Sequence, residues 1–253
     1  MELIILGSGV CVPNNGRYPA GYLLKGDNCL ILLDSGSGTM RQIEKAGYDF
    51  MEINALIYSH THPDHVGDLI PILQGIALQS DTFGPQRSHP LSIYGPRGFL
   101  PLYHTLREIF LPDPEPYQVA VQELYEETFQ VGEFTLTSKP VVHSSRLTCL
   151  GYRIEVQGKT IAYSGDSGMC ETLVELCRGV DLAILDCSYP KGYPSGNHLG
   201  VVGCGKIAEQ AGVKRVVLSH LYPPCNGHDL VAECREVFRG EVIVAEDLMR
   251  ILL

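Results

Sequence analysis

The chain has 253 residues, 45% hydrophobic and 19% charged, with a formal net charge of −10. That composition suits a globular protein with a substantial core, and the acidic balance argues against gripping long nucleic acid through the overall field, which is normally basic. No basic segment with an apolar run opens the chain, and no apolar stretch of about 18 residues occurs, so neither a secretory signal nor a membrane span is expected.

Nine cysteines are scattered along the chain, none spaced Cys-x-x-Cys. A cytoplasmic protein with reduced thiols is expected, without a dedicated cysteine zinc site.

Glu2 to Leu6 reads as an apolar strand entering Gly7-Ser8-Gly9. A dinucleotide fingerprint would need a glycine at Val12 and a following helix; Pro13 and Asn14-Asn15-Gly16 mark a turn instead. Residues 21–25 and 29–33 read as a hairpin ending at Asp34, a candidate hydrogen-bond acceptor behind a metal loop. Thr39 to Ala46 reads as a helix closed by Gly47.

Ala55-Leu56-Ile57-Tyr58 is a short buried strand, and Leu69 to Leu78 an apolar helix. Between them stands Ser59-His60-Thr61-His62-Pro63-Asp64-His65-Val66-Gly67-Asp68. His60, His62, Asp64 and His65 are four metal-competent side chains within six residues. On a strand-to-helix turn they can splay, His60 and His62 toward one ion and Asp64 and His65 toward a second. Imidazole with carboxylate suits zinc, manganese or iron.

Residues 80–90 read as a loop and 91–94 as a strand, with Gly95-Pro96 opening a helix. Residues 111–116, with three prolines, read as a rigid extended segment and the best candidate for a boundary between two halves. Strands follow over 118–124, 134–140, 151–156 and 160–163. His143 lies beyond the second and Asp166 beyond the fourth. After a helix over 171–177, a strand over 181–185 ends at Asp186. Gly196-Asn197-His198 leads into a helix over 199–210. A strand over 213–219 ends at His220, followed by a helix over 229–238 and a strand over 241–245.

His60, His143, Asp166, Asp186 and His220 thus each lie just past an apolar strand. Strand ends converge on one rim of a sheet, where layered α/β folds bind ligands. The outline suggests two sheets packed face to face with helices outside. Arg17, Arg146 and Lys191 are candidate phosphate contacts, though solvation explains them equally well. Cys187 reads as a small buried hydrophobe.

The residues resemble the metallo-β-lactamase superfamily. The pattern over 59–68 matches its first metal motif, Tyr163-Ser164-Gly165-Asp166 its bridging aspartate and Leu218-Ser219-His220 its last histidine. The presence of both Asp64 and His65, and of His198 after an acidic strand end at Asp186, resembles the ribonuclease Z and phosphodiesterase branch. The resemblance implies a four-layer αββα sandwich, with two face-to-face mixed sheets and helices outside, as one hydrolase domain over residues 1–253. It implies two divalent ions, zinc first and manganese or iron as alternatives. One would sit on His60, His62 and His143 and the other on Asp64, His65 and His220, with Asp166 bridging. Asp64, His198 and Asp186 are the implied catalytic residues, Asp186 orienting His198 toward a phosphoryl or leaving oxygen.

Two departures matter. The branch usually carries a glutamate where Asp186-Cys187-Ser188-Tyr189 stands here. Only Ser144 to Gly165 separates His143 from Asp166, which leaves no room for the arm that grips transfer RNA in ribonuclease Z. The expected substrate is therefore a small phosphodiester. Ribonuclease Z-type transfer-RNA processing and thioester or lactone hydrolysis are the alternatives. Relatives are often homodimers, so a homodimer is an open expectation.

Overall fold

A computed structural model describes residues 1–114 and 116–253. The first half of the chain supplies β1 (Glu2–Gly7), β2 (Gly21–Lys25), β3 (Leu30–Ser35), β4 (Ala55–Ile57), β5 (Leu91–Pro96) and β6 (Val119–Leu124). The second supplies β7 (Thr128–Val131), β8 (Phe134–Pro140), β9 (Leu150–Val156), β10 (Lys159–Tyr163), β11 (Leu182–Asp186), β12 (Arg215–Ser219) and β13 (Glu241–Val244). A last strand, β14 (Arg250–Leu252), returns to pair with β1. The strands form two seven-stranded sheets, ordered β14-β1-β2-β3-β4-β5-β6 and β13-β12-β11-β10-β9-β8-β7. Both are mixed, each having antiparallel and parallel pairs.

The apolar runs without alternation are explained by burial on both faces. In β1, Leu3 and Ile5 face the second sheet, whereas Ile4 and Leu6 face the helices, as a period of two requires. Leu3, Ile5, Tyr22, Ile31, Ile154 and Ile184 belong to the layer between the sheets. Outside the first sheet pack α1 (Thr39–Lys45), α2 (Pro63–Val66), α3 (Leu69–Leu78) and α4 (Phe99–Phe110). Outside the second pack α5 (Glu171–Cys177), α6 (Val201–Ala211) and α7 (Leu230–Arg235). Each fully buried Leu or Ile contributes about 1.5–3 kcal/mol to holding the layers together. The architecture is the expected αββα sandwich.

Local expectations need correction at four places. Pro96 ends β5 instead of opening a helix, and α4 begins at Phe99 after Gly98 turns the chain with φ 93°. A five-residue π turn, Gln79–Phe83, extends α3 into the expected loop. Strands β7 and β14 lacked a long enough alternation to be read. The rigid segment over 111–116 falls in part, at Glu115, outside the described residues; the chain crosses between the sheets later, after β6 at Leu124. Among the described residues, no helix is long and apolar enough to cross a membrane.

Candidate metal centre

The ends of β4, β10, β11 and β12 and the loop after β8 meet along one rim. The turn after β4 carries His60 and His62, then one helical turn, α2, with Pro63 at its start and Asp64 and His65 in it. Asp68, which closes the motif, accepts from the backbone N–H groups of Gly38 and Met40 at 2.9 and 2.8 Å. It thereby ties the turn to the start of α1.

Three backbone positions show why the rim forms where it does. Gly165 has φ 55°, and a Cβ there would stand 2.6 Å from Cβ of Ser59 and 2.9 Å from the Leu150 carbonyl oxygen. Only glycine lets β10 pass so close before presenting Asp166. His220 has φ 58° and Asp34 φ 53°. Left-handed backbone at non-glycine residues is uncommon, and it redirects both side chains out of their strands.

His60 Nε2 lies 2.8 Å from His62 Nδ1, and His143 Nε2 lies 3.2 Å from the same atom. Asp166 Oδ2 is 3.6 Å from both His60 Nε2 and His143 Nε2. The other oxygen, Asp166 Oδ1, is 3.1 Å from His65 Nε2 and 3.3 Å from His220 Nε2. His220 Nε2 is also 3.6 Å from Asp64 Oδ2. One carboxylate thus faces two nitrogen clusters, one with each oxygen.

The remaining ring nitrogens of His60, His143 and His65 are committed. Ser59 Oγ donates to Asp34 and accepts from His60 Nδ1 at 3.0 Å. His143 Nδ1 donates to the Asn197 carbonyl at 3.2 Å, and His65 Nδ1 donates to Asp34 Oδ2 at 2.7 Å. Asp34 also accepts from Ser59 N–H at 2.7 Å and from the Tyr163 hydroxyl. These bonds orient the rings so that their other nitrogens point inward, the usual arrangement behind metal-binding histidines.

Inward, three polar atoms lack partners. Among the described residues, His65 Nε2, Asp166 Oδ1 and His220 Nε2 are buried with no hydrogen bond of acceptable geometry. The short separations of these three atoms from one another, and of His220 from Asp64, are ion contacts only. Orphaned buried polar atoms are rare, and here they converge. His60, His62, His143 and Asp166 form one group that could hold a cation, and Asp64, His65 and His220 another. In each group the candidate ligand atoms lie within 4.8 Å of one another. The donor set fits divalent metals.

Electrostatics agree. Burial would oppose charge on His65, yet Asp166 and Asp34 hold its pKa well above the ordinary imidazole value. His220 is raised to about 10, against burial, by Asp166, Asp186 and Asp64. Burial dominates at His60 and His143, whose pKa values fall. At Asp166 burial is outweighed by His220, His65 and His60, and the carboxyl stays ionised far below its usual range.

Beside this cluster, His198 Nδ1 donates to Asp186 Oδ2 at 2.7 Å. Asp186 Oδ1 lies 3.4 Å from His220 Nδ1 and accepts from Ser188 Oγ at 2.6 Å. Asp186 therefore serves two histidines. A cleft of about 550 Å³ opens here, lined by His62, His143, Arg146, Tyr189, Asn197 and His198 among others. A larger hollow, about 690 Å³, lies on the outer helical layer by Met40 and Tyr48, away from these groups.

Every site residue read from the sequence lies on this rim. Of the three cations singled out there, only Arg146 lines the cleft. Arg17 is spent on Ser8 Oγ and the Ala245 carbonyl, and Lys191 pairs with Glu236 at 2.5 Å. Cys187 is fully buried. Sequence reasoning missed Ser59, Tyr163, Tyr189 and Tyr222. Ser59 and Tyr163 stand within recognised motifs but were given no role, and Tyr189 and Tyr222 follow strand ends that were identified.

Comparison with known proteins agrees with this geometry. Residues 30–221 match the family described as "Beta-lactamase superfamily domain". The chain is 28% identical to a protein named ribonuclease Z from Thermobifida fusca (strain YX), over 99% of this chain and 94% of that one. It is also 28% identical to "Probable metallo-hydrolase YhfI" of Bacillus subtilis (strain 168), with 97% of each covered. The crystal structure of the YhfI protein superposes with a TM-score of 0.83 at 24% identity, covering 99% of this chain and 98% of that one. With its two mixed sheets and its His/Asp cluster suited to divalent metal, this chain belongs to the metallo-β-lactamase superfamily of hydrolases.

Proposed function

We propose that the protein is a phosphodiesterase whose residues 1–253 act as one metal-dependent hydrolase domain. His60, His62 and His143 would hold one divalent ion and Asp64, His65 and His220 a second, with Asp166 between them. Zinc suits this set, with manganese and iron as alternatives. When bound, two such ions supply Lewis acidity at phosphoryl oxygens and a water ionised near neutral pH. Asp64 and Asp166 offset the mutual repulsion of the ions. A cytoplasmic location fits the nine free thiols.

The observation that carries the reading is the His198–Asp186 pair on the cleft wall. With Nδ1 given to Asp186, Nε2 is the atom left for substrate. Burial works against the charged ring, but Asp186 raises the His198 pKa. His198 can then donate a proton to a phosphoryl oxygen or to the departing alkoxide. A thioester has less use for this pair, since a thiolate leaves without a proton.

A small substrate is favoured over long nucleic acid. Strands β9 and β10 are joined by the tight turn Gln157-Gly158, both with positive φ, so no arm projects between His143 and Asp166. The kinship with a protein named ribonuclease Z favours a second reading, transfer-RNA 3′ processing on the same centre. The test offers metal-loaded protein bis(p-nitrophenyl) phosphate, a thioester, a lactone and a precursor transfer RNA with a 3′ trailer. Turnover of the diester above the other esters supports the proposal. Trailer cleavage without turnover of small diesters supports the second reading, and thioester or lactone turnover alone overturns both.

A further inference from the structure

Two tyrosines beside the cleft have no part in the chemistry above. Tyr189 lies three residues past Asp186 at the end of β11, and Tyr222 three residues past Ser219 at the end of β12. These strands are parallel neighbours, with Asp186 paired to Ser219. Equal offsets from paired residues bring the rings together: their centroids are 5.4 Å apart and their planes 21° apart, a stacked pair. The backbone behind Tyr189 is fixed, since its carbonyl accepts from Val201 N–H at 2.8 Å. Tyr222 is followed by two prolines opening a short 3₁₀ turn.

The pair stands against the catalytic edge. The His198 ring centroid is 5.7 Å from that of Tyr222 and 6.4 Å from that of Tyr189, both edge-on. Tyr189 lines the same cleft as His198 and Arg146. Both tyrosines are half-buried, and neither hydroxyl has a hydrogen-bond partner among the described residues. Aromatic rings kept at a cleft wall, with their polar tips unspent, suit contact with a ligand that is flat and carries polar edges.

We propose that Tyr189, backed by Tyr222, stacks a planar aromatic group of the substrate, such as a nucleobase, beside the phosphodiester at His198. The inference rests on the phosphodiesterase reading and narrows its substrate class to nucleoside phosphodiesters. The nucleobase could belong to a free nucleotide or to the end of an RNA chain.

The experiment compares thymidine 5′-(p-nitrophenyl) phosphate with methyl p-nitrophenyl phosphate on metal-loaded protein. The leaving group is shared, and only the nucleoside differs. The wild type should prefer the nucleoside ester in kcat/KM. Tyr189→Ala should reduce that preference on the order of tenfold, from the usual strength of base–aromatic stacking, whereas Tyr189→Phe should keep it. Unchanged metal content in both variants excludes unfolding as the cause. Equal slowing of the two esters, or no preference in the wild type, overturns the stacking role and leaves the phosphodiesterase reading intact. Turnover of neither ester refutes that reading for small diesters. Calorimetric binding of AMP against ribose 5-phosphate then decides the stacking by itself: tighter AMP binding that Tyr189→Ala abolishes upholds it, and equal binding overturns it. A short single-stranded oligoribonucleotide, run beside AMP, identifies the source of the base by which ligand shows the larger Tyr189 effect.

Discussion

The carboxylate of Asp34 lies 2.7 Å from Nδ1 of His65, although 31 residues separate them in the chain. The same carboxylate takes Ser59 N–H, Ser59 Oγ and the Tyr163 hydroxyl. It is the buried anchor behind half of the proposed metal centre.

Replacing Asp34 should therefore weaken metal binding without touching a proposed ligand. In Asp34→Asn, an amide N–H₂ in place of one oxygen meets donors, and His65 loses the acceptor that orients it. Outer partners of this kind are worth roughly 10–100-fold in metal affinity. Chelator competition, read by elemental analysis, should show one ion lost at lower chelator concentration than in the wild type. Wild-type retention of both ions would remove Asp34 from this role.

Asp166 and His143 should differ in what they release. Asp166 faces both clusters, Oδ1 toward His65 and His220 and Oδ2 toward His60 and His143. Asp166→Ala is expected to leave less than one equivalent of metal, and His143→Ala about one. Identical stoichiometries would contradict a bridging carboxylate.

His198→Ala should slow diester hydrolysis by roughly 10²–10⁴-fold, the usual contribution of a positioned acid or base. Its metal content should be that of the wild type. Loss of metal in this variant would make His198 a structural support of the centre.

The stability of metal-stripped protein should carry the opposite pH trend from that of loaded protein. His220 is raised to about 10 and His65 is raised too, each against burial. Groups raised above the ordinary value of 6.5 contribute stability that is complete below that pH and is lost as pH rises through the folded pKa. The depressed carboxyls Asp64, Asp166 and Asp186 contribute only above their ordinary value of 3.8, so they do not alter this window. A bound cation takes the place of these protons. His60 and His143, whose pKa values fall, act the other way only up to about pH 7, so the difference in Tm between loaded and stripped protein should widen from about pH 7.5 to about pH 9. A gap that narrows over that range would refute the assignment of His220 to the metal.

The layer order and the positions of the rim were legible in the sequence. Apolar runs without alternation marked strands buried on both faces, and a polar residue just past each run marked the rim. Both signals are local, since burial writes itself into a few consecutive residues. The His60–His65 cluster was equally plain because its members are neighbours. What only the tertiary structure decided concerns residues brought together by register and by unusual backbone. Left-handed φ at Asp34 and His220 aims their side chains, and no composition announces it. The parallel pairing of β11 with β12 stacks Tyr189 on Tyr222, and the folded loops spend Arg17 and Lys191 while leaving Arg146 at the cleft. A chain can state which residues will be polar at a strand end; which of them touch depends on how separate strands are aligned, and that is a property of the assembled sheets.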